Sequence, residues 1–290
     1  MIPPQFEYYA PVSVDDAIQL LDRFGGDAKV LAGGQSLLPV MKLRLAEPRA
    51  LVDINRIPNL SYIREEGDHL KIGTLTRTND LNDSELIRAR YPIFSDAASV
   101  IADPLVRNMG TVGGNVSHGD PANDLPACML ALGAVFLAKG PKGTRTIPAE
   151  EFYVDTFTTA LEPNEIMVEI QVPKARMGQG TAYVKLEKRA GDFPIVGVAA
   201  SLLEAKGKVE GAGIGLTAVG PTVLKAREAE AGLVGRAPDE AAFRGAADLA
   251  RSASHPVSDL RGPAEYKKAM VAVLTVRALR RAHERARGGA

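Results

Sequence analysis

Two glycine pairs, each followed by polar side chains, are the stretches of this sequence best suited to binding a ligand. The first reads VLAGGQS over residues 30–36, and the second reads TVGGNVSHGDPANDLP over residues 111–126. Glycine permits positive φ and lets a ligand approach the backbone closely, and successive peptide N–H groups in such a turn can bind a phosphate. Two such loops can hold the two phosphates of one dinucleotide between them. A turn that needs glycine only for its geometry is the alternative for each pair.

The side chains that follow the second glycine pair can hydrogen-bond a phosphate or a sugar. Thr111, Asn115 and Asn123 offer hydroxyl and amide groups, and Asp124 can accept from a ribose or ribityl hydroxyl. The same residue types are common in plain turns, so composition leaves both interpretations open. His118 lies near carboxylates and could act in acid–base chemistry, but this arrangement is more typical of a hydrogen-bonded turn.

Other motifs that carry chemistry are absent from the sequence. Neither loop fits G-x-G-x-x-G or the P-loop, and the nearest match, GAGIGLTAVG at 211–220, has Leu216 in place of the third glycine and resembles a strand. Cys128 is the single cysteine and lies in an apolar run, so we expect a buried, inert thiol. One cysteine cannot ligate an iron–sulfur cluster, and the four histidines lack metal-ligand spacing. Any redox chemistry therefore needs an organic cofactor.

Length and charge set further limits on function. The chain has 290 residues, 46 % of them hydrophobic, with 35 basic and 35 acidic side chains. This length predicts about two domains, and the balanced charge argues against non-specific nucleic-acid binding. We find no signal-peptide pattern and no apolar run long enough to span a membrane. The cytoplasm is therefore the expected compartment.

The elements around the loops are predicted from capping and periodicity. Ser13 and Asp16 form a capping box for a helix that ends at Gly25. Next come a strand that runs into the first glycine pair, a short helix over LLPVMKLRL, a strand at 50–55 and a hairpin at 62–76. The middle of the chain is predicted as loop and turn over PLVRNMGTVGGNV, then an apolar helix that runs into a strand over PACMLALGAVFLAK, and a strand at 165–173. A linker at 174–180 precedes three further strands and then helices, the last of them over about 265–285.

Three long stretches together resemble the FAD-binding medium subunit of the molybdenum hydroxylases, the family of the carbon monoxide dehydrogenase medium subunit and the xanthine dehydrogenase FAD domain. They are IPPQFEYYAP with SVDDAIQLL, then VLAGGQSLLPVMKLRL, then RNMGTVGGNVSHGDPANDLPACMLALGA. A fourth stretch, YVKLEKRAGDFPIVGVAA, matches the start of the family's C-terminal domain. The resemblance covers nearly the whole chain.

The resemblance implies an α+β fold. It consists of a vanillyl-alcohol-oxidase-type FAD-binding fold of two α/β subdomains, followed by a C-terminal α+β domain of the carbon monoxide dehydrogenase flavoprotein type. The implied boundaries are 1–56 for the first FAD-binding subdomain, 57–176 for the second and 177–290 for the C-terminal domain.

The same resemblance implies the residues that contact FAD. They are Ala32, Gly33, Gly34, Gln35, Ser36 and Leu37 in the first loop; Thr111, Gly113, Gly114 and Asn115 in the second; Asn123 and Asp124 on the adenosine or ribityl side; and Lys185, Asp192 and Phe193. Asp192 and Phe193 match positions at the isoalloxazine ring. Phe193 stands where relatives often carry Tyr or Trp, and Gln35 where they often carry His. The resemblance implies no catalytic acid or base and no metal ligand on this chain.

The implied function is that of an oxidoreductase subunit that transfers electrons. A large subunit would carry the molybdenum-pterin cofactor, and a small subunit would carry [2Fe–2S] clusters that pass electrons to this FAD and then to NAD, a quinone or oxygen. The expected assembly is a dimer of heterotrimers, either free in the cytoplasm or peripheral at the inner face of the membrane. Carbon monoxide, a purine, an aldehyde, an N-heterocycle and a thioester all stay open as substrates.

Two alternative functions also stay open. One is a stand-alone FAD-dependent oxidoreductase of the same superfamily, which would need a proton donor beside the flavin. The other is a non-catalytic assembly module whose loops no longer hold flavin. Co-purification with molybdenum and iron–sulfur subunits separates a subunit from the lone enzyme, and bound flavin separates either from the module.

Overall fold

The computed structural model describes residues 2–288 and has the α+β fold that the sequence predicts. Its helices are α1 Val14–Phe24, α2 Leu37–Lys42, α3 Thr78–Asp83, α4 Glu85–Arg90, α5 Pro92–Ser99, α6 Pro104–Met109, α7 Val112–Ser117, α8 Asp124–Leu132, α9 Ala149–Phe152, α10 Arg227–Leu233, α11 Glu240–Ala253 and α12 Ala264–Gly288. Its strands are β1 Glu7–Tyr9, β2 Ala28–Leu31, β3 Ala50–Asp53, β4 Ile63–Glu66, β5 His69–Gly73, β6 Val135–Gly140, β7 Gly143–Pro148, β8 Tyr153–Asp155, β9 Thr158–Thr159, β10 Ile166–Pro173, β11 Gln179–Glu187, β12 Pro194–Ala205, β13 Lys208–Thr217 and β14 Leu224–Lys225. Across residues 2–288, no helix combines the length and apolar character that crossing a bilayer requires.

The first sheet positions the first glycine pair. Its strand order is β1-β3-β2, and both neighbouring pairs are parallel. Helix α1 begins at the predicted cap, where the Ser13 hydroxyl accepts a hydrogen bond from the Asp16 N–H at 3.1 Å. It buries Ala17 and Leu21 against the sheet. The glycine pair follows the carboxyl end of β2, and α2 then leads to β3, so the predicted strand, short helix and strand form a β–α–β unit.

The second sheet supports the second glycine pair. Its strand order is β4-β5-β10-β6-β7, and every neighbouring pair is antiparallel. The hairpin of β4 and β5 confirms the prediction for residues 62–76. Helices α5 and α8 cover this sheet, and Cys128 lies fully buried in α8, as predicted.

The prediction of loop and turn across residues 104–116 is wrong, because this stretch forms α6 and α7. Thr111 caps α7, since its hydroxyl oxygen accepts a hydrogen bond from the Gly114 N–H at 3.1 Å. Two glycines disfavour a helix by about 1 kcal/mol each. Here close packing outweighs that preference, because a Cβ on Gly113 would overlap the Thr74 hydroxyl. The second glycine pair is thus the first turn of a short helix packed on the chain before α3.

The third sheet explains the glycine-rich stretch at 211–220. Its order is β11-β12-β13-β14, all antiparallel, and α8 lies directly across β13. A Cβ on Gly213 would overlap the Ala131 carbonyl, and a Cβ on Gly215 would overlap the Ala127 carbonyl. These glycines therefore let the backbones of α8 and β13 approach one another, and they play no part in a dinucleotide-binding turn.

The carboxylate of Asp96 joins helix α12 to helix α5. Asp96 on α5 accepts hydrogen bonds from the Arg285 guanidinium at 2.6 and 3.0 Å, and it pairs with Arg281 at 3.0 Å. The backbone N–H of Tyr183 on β11 also donates to this carboxylate, at 3.1 Å. The side chain of Asp96 is 10 % exposed, so these three donors compensate a nearly buried charge.

Replacing Gly215 with alanine is expected to destabilise the chain by about 1–3 kcal/mol, because the added methyl group would force α8 away from β13. Gly211→Ala in the same strand is the matched control. A Cβ there meets only Leu203, at 3.7 Å, which is ordinary contact. That control should keep or raise stability, by up to about 1 kcal/mol, because alanine restricts the unfolded chain. Urea unfolding of both variants checks this, and equal midpoints would contradict the proposed role of Gly215.

Candidate functional site

The two glycine loops lie against each other although about eighty residues separate them in the sequence. A Cβ on Gly33 would overlap the Met109 carbonyl oxygen and would lie 2.8 Å from the Gly110 Cα. The Gln35 Cγ atom lies 3.8 Å from the position that a Cβ on Gly110 would take. Backbone therefore meets backbone where Gly33 packs against Met109 and Gly110.

The first loop leaves its backbone and two polar side chains accessible. Gly34 adopts φ +72°, a left-handed conformation that favours glycine. The Gln35 amide donates to the Gly33 carbonyl at 3.1 Å, and both Gln35 and Ser36 are exposed. Leu37 then begins α2. The sequence order of turn, polar side chains and helix start is therefore preserved in three dimensions.

The second loop presents a glycine and an amide to the same region. The position of a Cβ on Gly114 lies 2.7 Å from the Thr111 hydroxyl oxygen and 3.8 Å from the Ala32 Cβ, so Gly114 faces the first loop. The Asn123 amide donates to the Asn115 carbonyl at 2.8 Å, which ties the chain before α8 to α7. The Asn115 side-chain oxygen is buried, and no group within residues 2–288 donates to it. An unpaired buried acceptor in this position fits a ligand hydroxyl as donor.

Two residues that sequence reasoning missed connect the loops. The Asn55 amide donates to the Ala32 carbonyl at 2.7 Å, and the Arg77 guanidinium donates to the Met109 carbonyl at 2.6 Å. Arg77 also donates to the Asn55 side-chain oxygen, at 3.0 Å. The available signal was weak: each is a polar residue shortly after a strand, which is a common position.

A buried cluster of three polar side chains lies at the start of α8. The Tyr183 hydroxyl donates to one Asp124 carboxylate oxygen at 2.5 Å, and the Lys185 ammonium lies 3.3 Å from the other. Asp124 is 5 % exposed. Burial raises the pKa of Asp124 to about 6, although the charge of Lys185 and the hydrogen bond from Tyr183 act in the opposite direction. Burial, together with the Asp124 charge, also raises the pKa of the Tyr183 hydroxyl well above its ordinary value.

Strand β11 supplies the partners of Asp124. Tyr183, Lys185 and Glu187 alternate along the strand and therefore share one face. The Lys185 ammonium donates to the Val100 carbonyl at 2.9 Å and lies 3.3 Å from a Glu187 carboxylate oxygen. The structure thus brings together Asp124 and Lys185, which the sequence resemblance implied separately. Tyr183 is the member of the cluster that the sequence did not indicate.

The turn with Asp192 and Phe193 is held from two sides. Gly191 adopts φ +79°, and a Cβ there would clash with the Ala102 backbone, so the turn packs directly on the chain after α5. From the other side, the Arg261 guanidinium donates to Asp192 at 3.1 Å and lies 5.5 Å from the centre of the Phe193 ring. The hydrogen bond from Arg261 holds the pKa of Asp192 below its usual value. Phe193 is 46 % exposed, which leaves its ring able to cover a ligand.

His118 is placed for packing rather than for proton transfer. Its ring lies 5.1 Å from the Phe157 ring, centre to centre. Burial lowers the pKa of His118, and the nearby Asp120 only partly opposes this effect. The lowered pKa favours the neutral imidazole, which packs against Phe157. Within residues 2–288, no group of three or more His, Cys, Asp or Glu side chains is arranged to hold a metal ion.

A cavity of about 260 Å³ lies behind Lys185, between α5, β11 and α12. Its charged groups already have partners: Asp96 pairs with Arg281 at 3.0 Å, and Lys185 with Glu187 at 3.3 Å. This space is a crevice between packed elements, and the candidate site is the region where the two glycine loops meet.

Comparison with known proteins identifies relatives along nearly the whole chain. Residues 4–175 match the family described as "FAD binding domain in molybdopterin dehydrogenase", and residues 181–282 match "CO dehydrogenase flavoprotein C-terminal domain". The carbon monoxide dehydrogenase medium chain of Hydrogenophaga pseudoflava is 49 % identical over 98 % of this chain and 99 % of the relative. The 6-hydroxypseudooxynicotine dehydrogenase complex subunit alpha of Paenarthrobacter nicotinovorans is 39 % identical over 99 % and 97 %.

A solved structure shares the same fold. The structure of carbon monoxide dehydrogenase from Hydrogenophaga pseudoflava lacking the Mo-pyranopterin moiety superposes with a TM-score of 0.96 and 51 % identity, covering 98 % of this chain and 99 % of that one. The predicted α+β fold with its C-terminal domain is therefore confirmed.

Raising the pH from about 4 to about 6 is expected to remove stability that Asp124 contributes. Its pKa is about 6 in the folded chain, whereas an unfolded Asp titrates near about 4. Folding therefore favours the protonated carboxyl, so its contribution is fully present below about pH 4 and is lost as the pH rises through about 6. Two pKa units correspond to about 3 kcal/mol.

Urea unfolding of the flavin-free chain and of its Asp124→Asn variant isolates this effect, because every other titrating group is common to both. We expect the stability of the unmodified chain, relative to the variant, to fall by up to about 3 kcal/mol between about pH 4 and about pH 6 and then to level off. A difference that rises with pH would mean that the pKa of Asp124 is lowered in the folded chain.

Proposed function

The chain belongs to the family of FAD-binding medium subunits of the molybdenum hydroxylases, and from this premise we propose that it is the electron-transfer subunit of such a complex. In this proposal, [2Fe–2S] clusters on a partner subunit deliver electrons to the FAD of this chain, and NAD, a quinone or oxygen removes them. FAD, when bound, supplies the redox chemistry. The residues of this chain bind it, orient it and shield it from water.

The approach of the two glycine loops is the observation that carries the proposal. Backbone meets backbone at Gly33 and Met109, and the position of a Cβ on Gly114 lies 3.8 Å from the Ala32 Cβ. In the first loop, Gly34 in a left-handed conformation and the exposed Gln35 and Ser36 offer peptide and side-chain groups that can bind a phosphate. In the second loop, the N–H groups of residues 112–115 are bonded within the chain, so the contribution proposed for it comes from its close backbone approach and its polar side chains. The residues present therefore fit FAD, and we assign the pyrophosphate to the loops over 32–37 and 111–115.

The remaining predicted contacts are assigned to the rest of the dinucleotide. Asn123 and Asp124 are proposed to hold the adenosine or ribityl side, where the unpaired Asn115 oxygen also lies close. Lys185 would orient Asp124, since its ammonium lies 3.3 Å from that carboxylate. Phe193 would cover one face of the isoalloxazine ring, because its exposed ring sits on a turn fixed from two sides. None of these side chains needs to move a proton in the proposed electron transfer.

The proposed partners rest on the family to which this chain belongs. Cys128 is the single cysteine, so the thiols of this chain cannot by themselves hold a [2Fe–2S] cluster. We propose a small [2Fe–2S] subunit and a large molybdenum-cofactor subunit in a dimer of heterotrimers. The relatives are named for carbon monoxide and for 6-hydroxypseudooxynicotine. We therefore assign the choice of substrate to the large subunit.

Within this chain, we propose FAD-binding subdomains at 1–56 and 57–176 and a C-terminal domain at 177–290.

A visible spectrum of the purified chain tests the cofactor assignment, and acid release identifies the chromophore. Oxidised-flavin bands and about one FAD per chain, with no FMN, are expected, because the paired loops fit a pyrophosphate. Anaerobic mixing with a reduced [2Fe–2S] subunit should then bleach the flavin bands. A chain that stays colourless after addition of FAD and co-expression with neighbouring subunits would overturn the proposal.

Gly114→Val is expected to abolish FAD binding without unfolding the C-terminal domain. Its Cβ would come within 2.7 Å of the Thr111 hydroxyl, and its methyl groups would fill the gap towards Ala32. Gly245→Val is the matched control, because Gly245 lies on the exposed face of α11 with nothing within 4 Å of its Cβ position. Flavin content and circular dichroism of both variants provide the measurement. Retained stoichiometric FAD in Gly114→Val would contradict the assignment of this loop.

A further inference from the structure

One chain of hydrogen bonds crosses from the first sheet to the second glycine loop. The Tyr8 hydroxyl donates to Asp53 at 2.6 Å, and the Asn55 amide donates to the other Asp53 oxygen at 2.7 Å. The same amide nitrogen donates its second hydrogen to the Ala32 carbonyl, at 2.7 Å. The Asn55 oxygen accepts from Arg77, which also reaches the Met109 carbonyl. Each polar atom of the Asn55 side chain therefore has a partner in this chain of bonds.

The backbone of Arg77 is anchored to the second loop, while its side chain reaches towards the first. Its N–H donates to the Asp80 carboxylate at 3.0 Å, and the residue forms an isolated β-bridge with Thr111. The neighbouring Thr78 N–H donates to the Gly110 carbonyl at 2.9 Å. The position of Arg77 is therefore fixed by its backbone, and its planar guanidinium binds the Met109 carbonyl next to the second loop and the Asn55 side chain, which in turn binds the first loop at Ala32.

The Met109 carbonyl is the atom against which Gly33 packs. Arg77 therefore holds the point of contact between the two loops. Asn55 and Arg77 also donate hydrogen bonds to two carbonyl oxygens, those of Ala32 and Met109. The partial negative charge of these oxygens would otherwise repel a phosphate. Burial disfavours the charged form of Asp53, but hydrogen bonds from Tyr8 and Asn55 outweigh it and hold its pKa below the usual value. The carboxylate thus stays ionised near pH 7 and anchors Asn55.

We propose that Asn55 and Arg77 are positioning residues that set the separation of the two glycine loops and thereby the affinity for the pyrophosphate of FAD. This inference rests on the proposed function, because the loops must hold the dinucleotide for their separation to matter. The pair acts through the Ala32 and Met109 carbonyls and not by contact with the cofactor. A change at either residue should thus weaken FAD binding more than it weakens the fold.

The test measures the FAD dissociation constant of the full chain, after removal of flavin, by fluorescence titration. Arg77→Gln and Arg77→Lys are each expected to raise it at least about tenfold, because a single ammonium cannot replace the planar fork at two partners. Without FAD, the midpoint of thermal unfolding should shift no more in the two Arg77 variants than it does in an Arg145→Gln control. That control removes an arginine on the edge strand β7 that likewise binds a carbonyl, Ala160 at 2.6 Å, and a side chain, Glu165 at 2.7 Å.

A double-mutant cycle separates positioning from general loss of structure. If Asn55 and Arg77 act as one unit, Asn55→Ala should weaken FAD binding alone but add less than about twofold in the Arg77→Gln background. Additive effects, or Arg77 variants that bind FAD as tightly as the unmodified chain, would overturn the inference and leave the proposed function intact. An unmodified chain that binds no FAD at all would overturn both.

Discussion

The contact of Gly33 with the Met109 carbonyl is the constraint on which the rest of the candidate site depends. No side chain fits at this position, so the two loops meet through their backbones. A site formed where two backbones meet depends on how accurately the chain is placed. The structure meets that requirement by fixing each loop to regular elements: the first follows β2 in a parallel sheet, and the second is the capped first turn of α7.

The C-terminal domain packs against the region that carries Asp124, one of the predicted contact residues. Its strand β11 brings Tyr183 and Lys185 to Asp124, which belongs to the FAD-binding region. A buried carboxylate without partners would be costly, and two partners from another domain make its burial tolerable. Gly213 and Gly215 are part of the same arrangement, because they let α8, which carries Asp124, lie directly on β13. The packing of the C-terminal domain therefore also determines which partners compensate the buried charge of Asp124.

Local signals in the sequence were enough to predict the elements that depend on local rules. The cap at Ser13, the hairpin around Gly67 and the buried Cys128 follow from capping, turn chemistry and apolar patterning, and the structure has all three. The helix α7 was missed because its glycines disfavour helix locally and only packing against Thr74 selects it. The bridge between Asn55 and Arg77 was missed because it joins two ordinary polar residues through carbonyls far away in the sequence, and composition does not record such contacts.

The distribution of charge around the loops clarifies what this chain can contribute. Arg77 is half-buried, and its guanidinium donates hydrogen bonds to the Met109 carbonyl and to the Asn55 side-chain oxygen. Lys185 is paired with the carboxylates of Asp124 and Glu187. A site that relied on free cations would attract many anions with little regard to shape, because a point charge is not directional. Two loops held at a set distance would instead select a ligand by the spacing of its phosphates. In the proposed function, the chain would therefore recognise FAD by shape and placement rather than by charge alone.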